Sequence, residues 1–237
     1  MGFYLSPSLQ GAVFFGAQQE SFIPEHYKGF LSNELIYQQP FVSVAQTLNL
    51  QQLVFAHQTH GILGTRVTEK AVPVFMQDSD FLITTERSVG IAVATADCIP
   101  LVIYSTEYPV IAIVHAGWRG TVAGIVTVAL QQFLPLAQYR TETVSIIIGP
   151  CARVCCYQVS EDFLKGLDPQ FHRFVQERDG ILFFDGVACN RFLITTLGIS
   201  ETAIQDTALC TMHDAGYCSH RSSRGLPERQ YTVASLK

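Results

Sequence analysis

Residues 91–134 read IAVATADCIPLVIYSTEYPVIAIVHAGWRGTVAGIVTVALQQFL, and the fold turns on how they are taken. Two apolar, β-branched runs, at 91–95 and 110–114, have the composition of buried strands. Cys98 follows the first run and His115 the second, so a thiol and an imidazole are expected at neighbouring strand ends. Beyond His115, AGWRG is a turn with two glycines, and a helical pattern opens at Arg119. Val122, Ile125, Val126, Ala129 and Phe133 then follow the i, i+3, i+4, i+7 spacing of one buried helix face. Two metal-binding groups beside a helix start suggest chemistry as well as packing.

Working outward, LVFAHQTHG (53–61) reads as a strand running into a turn at Gly61. In an extended chain His57 and His60 point to opposite faces, so one site takes only one of them. GAVFFGA reads as a strand and FVSVAQTLNL as a short helix or strand. TRVTEKAVPVF, with charges and Pro73, reads as an edge strand. DSDFLITT and TVSIIIGP read as further strands, and CARVCCYQV as a loop. SEDFLKGL reads as a short helix capped by Ser160. DGVACNRFLITTLG reads as a longer helix capped by Asp185, with Val187, Ile194 and Leu197 inward and Gly198 closing it. The tail is a polar loop followed by a closing strand. Strands and helices without a strict βαβ rhythm predict an α+β fold. No linker-like stretch divides residues 1–237, which predicts a single domain.

An apolar content of 48% is ample for a large core. The net charge of −5 carries no nucleic-acid footprint. No apolar run reaches the ~18 residues of a membrane span, and the N-terminus lacks the pattern of a signal peptide. Gly2 and Ser6 match the loose acylation pattern M-G-x-x-x-S. Seven cysteines, an odd count, fit a reduced cytoplasmic protein with buried or metal-bound thiols better than a disulfide framework.

Four groups of residues bear chemistry. His60, Cys98 and His115 form a nitrogen–sulfur donor set that suits zinc, with copper as the less favoured metal. The alternative is a packed thiol and two hydrogen-bonded histidines. The same Cys98 and His115 would also serve as nucleophile and base. Cys210, His213, Cys218 and His220 invite a structural zinc, although their spacing fits no common finger, and a polar loop over a pocket is the alternative. Cys151, Cys155 and Cys156 have no histidine near them in sequence and read as packing. Arg119 at the helix start offers an anion site, or else pairs with a surface carboxylate.

Taken together, QTHG around His60, TADC ending at Cys98, HAGWRGT at His115, IGP…CCYQV from Ile148 to Val159 and CT…SHR from Cys210 to Arg221 resemble the laccase-domain proteins. These are also called multicopper polyphenol oxidases and are now described as zinc-dependent purine nucleoside phosphorylases. The resemblance implies a single α/β/β/α layered domain with mixed sheets and one zinc on His60, Cys98 and His115. It implies phosphorolysis of adenosine, inosine and methylthioadenosine, and deamination of adenosine. A nucleoside and phosphate are then the partners, with Arg119 or Arg221 holding the phosphate. The older laccase label fits badly, because multicopper oxidases need many more histidines than the seven present. A link of some relatives to peptidoglycan fidelity, and a likeness to cysteine-dependent deamidating toxins, imply an editing or amide-hydrolase alternative through Cys98 and His115. The N-terminal region lacks the family's SLNLG pattern, and CSHRSSRG replaces its usual aromatic-SHRRDG, which implies an altered pocket rim.

Overall fold

The computed structural model describes residues 2–4, 11–68, 74–222 and 226–237. Ser6 of the acylation pattern and Pro73 of the expected edge strand lie outside them. In chain order the strands are β1 (Gly2–Tyr4), β2 (Gly11–Phe15), β3 (Gln52–Ala56), β4 (Gly64–Val67), β5 (Phe75–Met76), β6 (Phe81–Thr84), β7 (Val89–Thr95), β8 (Ile99–Ser105), β9 (Ile111–Ala116), β10 (Val144–Ile148), β11 (Gln158–Val159), β12 (Val175–Arg178), β13 (Ile181–Phe184), β14 (Ile204–Asp206) and β15 (Gln230–Leu236). The α-helices are α1 (Ser32–Leu35), α2 (Val42–Leu48), α3 (Trp118–Val122), α4 (Ile125–Phe133), α5 (Glu161–Gly166) and α6 (Gly186–Thr196).

Two mixed six-stranded sheets, β1-β2-β15-β7-β3-β5 and β14-β10-β8-β9-β6-β4, make the body. Alternate side chains of both sheets meet between them. Val13, Val54, Ile91 and Val93 from the first face Leu82, Val102, Ile111 and Ile147 from the second. The next residues along the same strands point outward. Phe14, Phe55, Ala92 and Tyr231 pack under Phe41, Val44 and Ala45 of the N-terminal segment. Leu101, Ile103, Ala112 and Ile146 pack under α4 and α6. Strands buried on both faces explain the near-continuous apolar runs. The result is the α/β/β/α layering expected from the resemblance, and a small antiparallel sheet, β11-β13-β12, flanks it.

Several readings change. The helix opening at Arg119 is two helices, broken where Gly124 takes φ +83°. IPLVIYS, which the two apolar runs leave between them, is the central strand β8. Its proline sits second in the strand and offers its carbonyl to the Gly149 N–H at 2.9 Å. The expected edge strand divides into β4 and β5, each at the edge of a different sheet. β12 and β13 were not read, although Asp179-Gly180 between them is a hairpin dipeptide and both take positive φ. The two capped helices form as read. Ser160 accepts from the Phe163 N–H at 3.1 Å and Asp185 from the Ala188 N–H at 2.8 Å. FVSVAQTLNL resolves as α2, ended by Asn49 in the left-handed region. Among the described residues no helix is long and apolar enough to cross a membrane.

Candidate metal centre

The chain crosses from the first sheet to the second three times at the same end of the sandwich, and the β5–β6 crossing carries Asp80. The β3–β4 crossing carries His60 and the β7–β8 crossing carries Cys98. His115 lies on β9, opposite Pro100 of β8. The expected juxtaposition of Cys98 and His115 is therefore made by the β8–β9 pair, not by the two apolar runs, which lie in different sheets. The donor atoms of His60, Cys98 and His115 all lie within 4.8 Å of one another. His60 Nε2 stands 3.9 Å from the Cys98 sulfur, and the two imidazole rings are nearly perpendicular with centroids 4.8 Å apart.

The strand ends at Ala56, so the alternation argument does not reach His60. What separates the histidines is the loop. His60 takes φ +61°, a conformation uncommon outside glycine. Asp80, absent from the sequence reading, holds it there. One carboxylate oxygen accepts from the His60 N–H at 2.9 Å, and the other from the N–H groups of Thr59 and Gly61. Asp80 Oδ1 also lies 2.8 Å from His115 Nδ1, which leaves His115 Nε2 for the cluster. A carboxylate on the far nitrogen of a ligating histidine is the usual support of a metal site. Its signal in DSDFLITT was an acidic residue at the start of a buried strand.

The charges agree with that use. Burial alone would raise the Asp80 pKa, yet His115 and the Gly61 N–H hold it well below the usual carboxylate range. Against burial, the positive charge and hydrogen bond of His115, helped by His60, lower the Cys98 thiol to about 6. Burial opposes protonation of His115, but Cys98 and Asp80 together raise it to about 9. Gly117 completes the floor. A Cβ there would sit 2.9 Å from His60 Cδ2 and 3.3 Å from the Cys98 sulfur, so only glycine leaves the donors room to converge.

The cluster opens into a cavity of about 380 Å³ whose lining includes His57, Gln58, Tyr157, His220 and Arg221. That size is within the ~300–1,000 Å³ of small-molecule sites. Gln58 is fixed by paired hydrogen bonds to the N–H and carbonyl of Ala94. His57 lines the cavity but is not in the cluster, and its Nδ1 is buried without a partner among the described residues. The Asp97 carboxylate accepts from the Arg221 N–H at 2.9 Å and the Thr211 hydroxyl at 2.8 Å, which ties the SHR loop to the ADC turn. The Arg221 guanidinium lies over the Tyr157 ring, 4.6 Å from its centroid. Arg119 is elsewhere. It is exposed, stacks on Trp118 at 4.3 Å, and does not line the cavity. α3 has five residues, too few for a persistent dipole, so the anion site expected at that helix start has no support in the geometry.

An α/β/β/α sandwich with nitrogen and sulfur donors converging at the mouth of a cavity defines a class of protein, and the comparisons agree. The profile of the family described as multi-copper polyphenol oxidoreductase laccase matches residues 38–237, and the chain belongs to that family. A purine nucleoside phosphorylase of Aquifex aeolicus is 35% identical over 125 residues, covering 51% of this chain and 56% of that protein. A purine nucleoside phosphorylase of Deinococcus radiodurans is 31% identical over 185 residues, covering 76% of this chain and 68% of that protein. The crystal structure of the hypothetical protein YfiH of Bacillus licheniformis superimposes with a TM-score of 0.79 at 26% identity, covering 99% of each chain.

Proposed function

We propose that this protein is a zinc enzyme acting on purine nucleosides, with phosphorolysis as its main reaction. The observation that carries the reading is the convergence of His60, Cys98 and His115, backed by Asp80, at one end of the cavity. Mixed imidazole and thiolate donors favour zinc over hard cations, and three protein ligands leave a fourth position open. Zinc bound there would supply a Lewis acid and lower the pKa of a bound water towards ~7.

The chain's own residues do the rest. Asp80 fixes the His115 tautomer so that Nε2 faces the cluster. Tyr157 offers an aromatic wall for a purine base. Arg221 lines the cavity with one N–H donated to the Gln158 carbonyl, and its other donors suit a phosphate. Given inosine and phosphate, the zinc-loaded protein should release hypoxanthine and ribose 1-phosphate, measured by chromatography. Given adenosine alone it should also release ammonia. Neither product from a fully loaded sample would overturn the proposal. Arg221→Ala should raise the Michaelis constant for phosphate roughly 10- to 100-fold, at 1.4 kcal/mol per decade. Arg119→Ala should leave it unchanged, and the opposite pattern would return the phosphate to Arg119.

One observation favours a second reading. The lowered Cys98 thiol beside a protonated His115 is also the pairing of a nucleophilic cysteine. If Cys98 alkylates rapidly with zinc bound, and phosphorolysis is absent, amide hydrolysis takes precedence. Copper and phenol oxidation in place of zinc would instead support the family's laccase description.

A further inference from the structure

The segments 151–157 and 209–213 run side by side on the flank of the sandwich. Cys151 and Cys210 form a parallel bridge, with the Thr211 N–H on the Cys151 carbonyl at 3.0 Å and the Cys151 N–H on the Leu209 carbonyl at 3.3 Å. Cys155 and Cys156 lie in the turn that follows Arg153, whose carbonyl accepts from the N–H groups of Cys156 and Tyr157. On the other segment the Cys210 carbonyl accepts from the N–H groups of His213 and Asp214, a tight turn that carries the imidazole back towards the first segment. The separate expectations for these motifs are therefore both corrected. Two residues of each come together, as Cys155, Cys156, Cys210 and His213, while Cys151, Cys218 and His220 stay outside the group.

The four donor atoms all lie within 4.8 Å of one another. The Cys155 sulfur is 3.6 Å from the Cys210 sulfur and 3.6 Å from His213 Nδ1. A tetrahedral zinc, with Zn–S of ~2.3 Å and Zn–N of ~2.0–2.1 Å, holds its ligands ~3.5–3.8 Å apart, so two measured edges already have that length. A disulfide needs ~2.05 Å, and all seven cysteines are free thiols. Hydrogen bonding by weak thiol donors does not account for four metal-binding groups from two segments meeting at one point. Of the cations beside the group, Arg153 is committed to Asp206 through two hydrogen bonds, and Arg178 donates to the Val154 carbonyl.

We propose that Cys155, Cys156, Cys210 and His213 form a second, structural zinc site that staples segment 151–157 to segment 209–213. Three thiolates and an imidazole fill all four positions of the ion, so no water is left on it and no reaction is assigned to it. Its effect reaches the cavity through the chain. Tyr157 follows Cys156 directly. Thr211 follows Cys210, and its hydroxyl shares the Asp97 carboxylate with the Arg221 N–H. The staple therefore holds one wall of the first site in place.

The test removes the first site and counts metal at the second. Wild-type protein, Cys98→Ala and the double variant Cys98→Ala, Cys210→Ser are reconstituted with zinc under reducing conditions, desalted and analysed by elemental mass spectrometry. The expected contents are about two, about one and near zero zinc per chain, one for each complete donor set. Because Cys210 is buried, Cys98→Ala, His213→Ala serves as a second variant. His213 is exposed, so its loss should keep the circular dichroism of the parent while weakening zinc retention against a chelator at least tenfold. Cobalt in Cys98→Ala should give the thiolate charge-transfer and tetrahedral bands, and these should vanish in the double cysteine variant. Cys98→Ala without zinc, or with zinc unaffected by Cys210→Ser and His213→Ala, overturns the proposal. So does a Cys155–Cys210 or Cys155–Cys156 disulfide found by mass spectrometry in protein kept reduced. None of these counts depends on whether the first site turns over a nucleoside.

Discussion

At the scale of single residues, the first site depends on one missing side chain and one buried carboxylate. Gly117 takes φ −67°, which alanine adopts freely, so Gly117→Ala isolates the contact from the backbone. The added carbon meets His60 Cδ2 at 2.9 Å, and His60 sits on a loop rather than a strand. We expect zinc affinity to fall about 10- to 100-fold by chelator competition, the size of effect seen when ligand orientation is lost. Unchanged affinity would mean that the loop gives way at no cost. Asp80→Asn should weaken zinc by a similar factor and also cost about 3–5 kcal/mol by urea denaturation, because the pair it breaks is buried. His57→Ala should keep its zinc, since His57 is outside the cluster.

At the scale of elements, β14 is clasped to the loop that follows β10. Asp206 accepts from Arg153 at 2.9 and 2.6 Å and from the Ala208 N–H at 2.8 Å. Burial would raise its pKa, but these donors outweigh burial and lower it. A carboxylate lowered on folding contributes stability above its unfolded value of ~3.9 and loses it as pH falls through the lower folded value. Asp206→Asn should therefore cost about 1.5–3 kcal/mol at pH 7, and the gap to wild type should close below pH ~4 in urea titrations. A gap independent of pH would show that the carboxylate acts through packing alone. This clasp joins residues 53 positions apart and left no local pattern to read. The elements that were legible carry their signals locally. Ser160 and Asp185 are side-chain caps, and Gly198 closes α6 with φ +82°. β8 is a central strand that tolerates Pro100, whose missing N–H falls near the strand's start. The motifs around His60, Cys98 and His115 were legible because each lies close to a strand. Asp80 and the Cys155–Cys210 contact were not, because their meaning comes from which segments the sheets bring together.

At the scale of the molecule, the question is whether four layers and a flanking sheet behave as one unit, and we propose that they do. The C-terminal strand β15 is paired on both sides, with β2 and β7, so the end of the chain closes the centre of the first sheet. Its Tyr231 is fully buried and touches the rings of Phe14, Phe22, Phe41 and Phe55, with centroids 5.0 to 6.3 Å away. Tyr231→Ala should cost about 3–5 kcal/mol, as expected for a large buried aromatic ring. The sole tryptophan, Trp118, lies on α3 in a different cluster, packed against Phe163. It therefore reports on unfolding far from the substitution. If the layers unfold together, the urea midpoint read from Trp118 fluorescence will fall as much as the midpoint read from far-ultraviolet circular dichroism, and the two curves will coincide. If the outer N-terminal layer and first sheet form a separate unit, the dichroism will show an early step while the Trp118 transition stays at its wild-type position. The interface between the sheets favours the first outcome. Tyr231 points outward, but its neighbours Thr232 and Val233 pair with Val93 and Ala92 of β7, and Val93 packs directly into the layer shared with the second sheet. A loss in the outer layer is thereby carried through the paired strands into the core that both halves share.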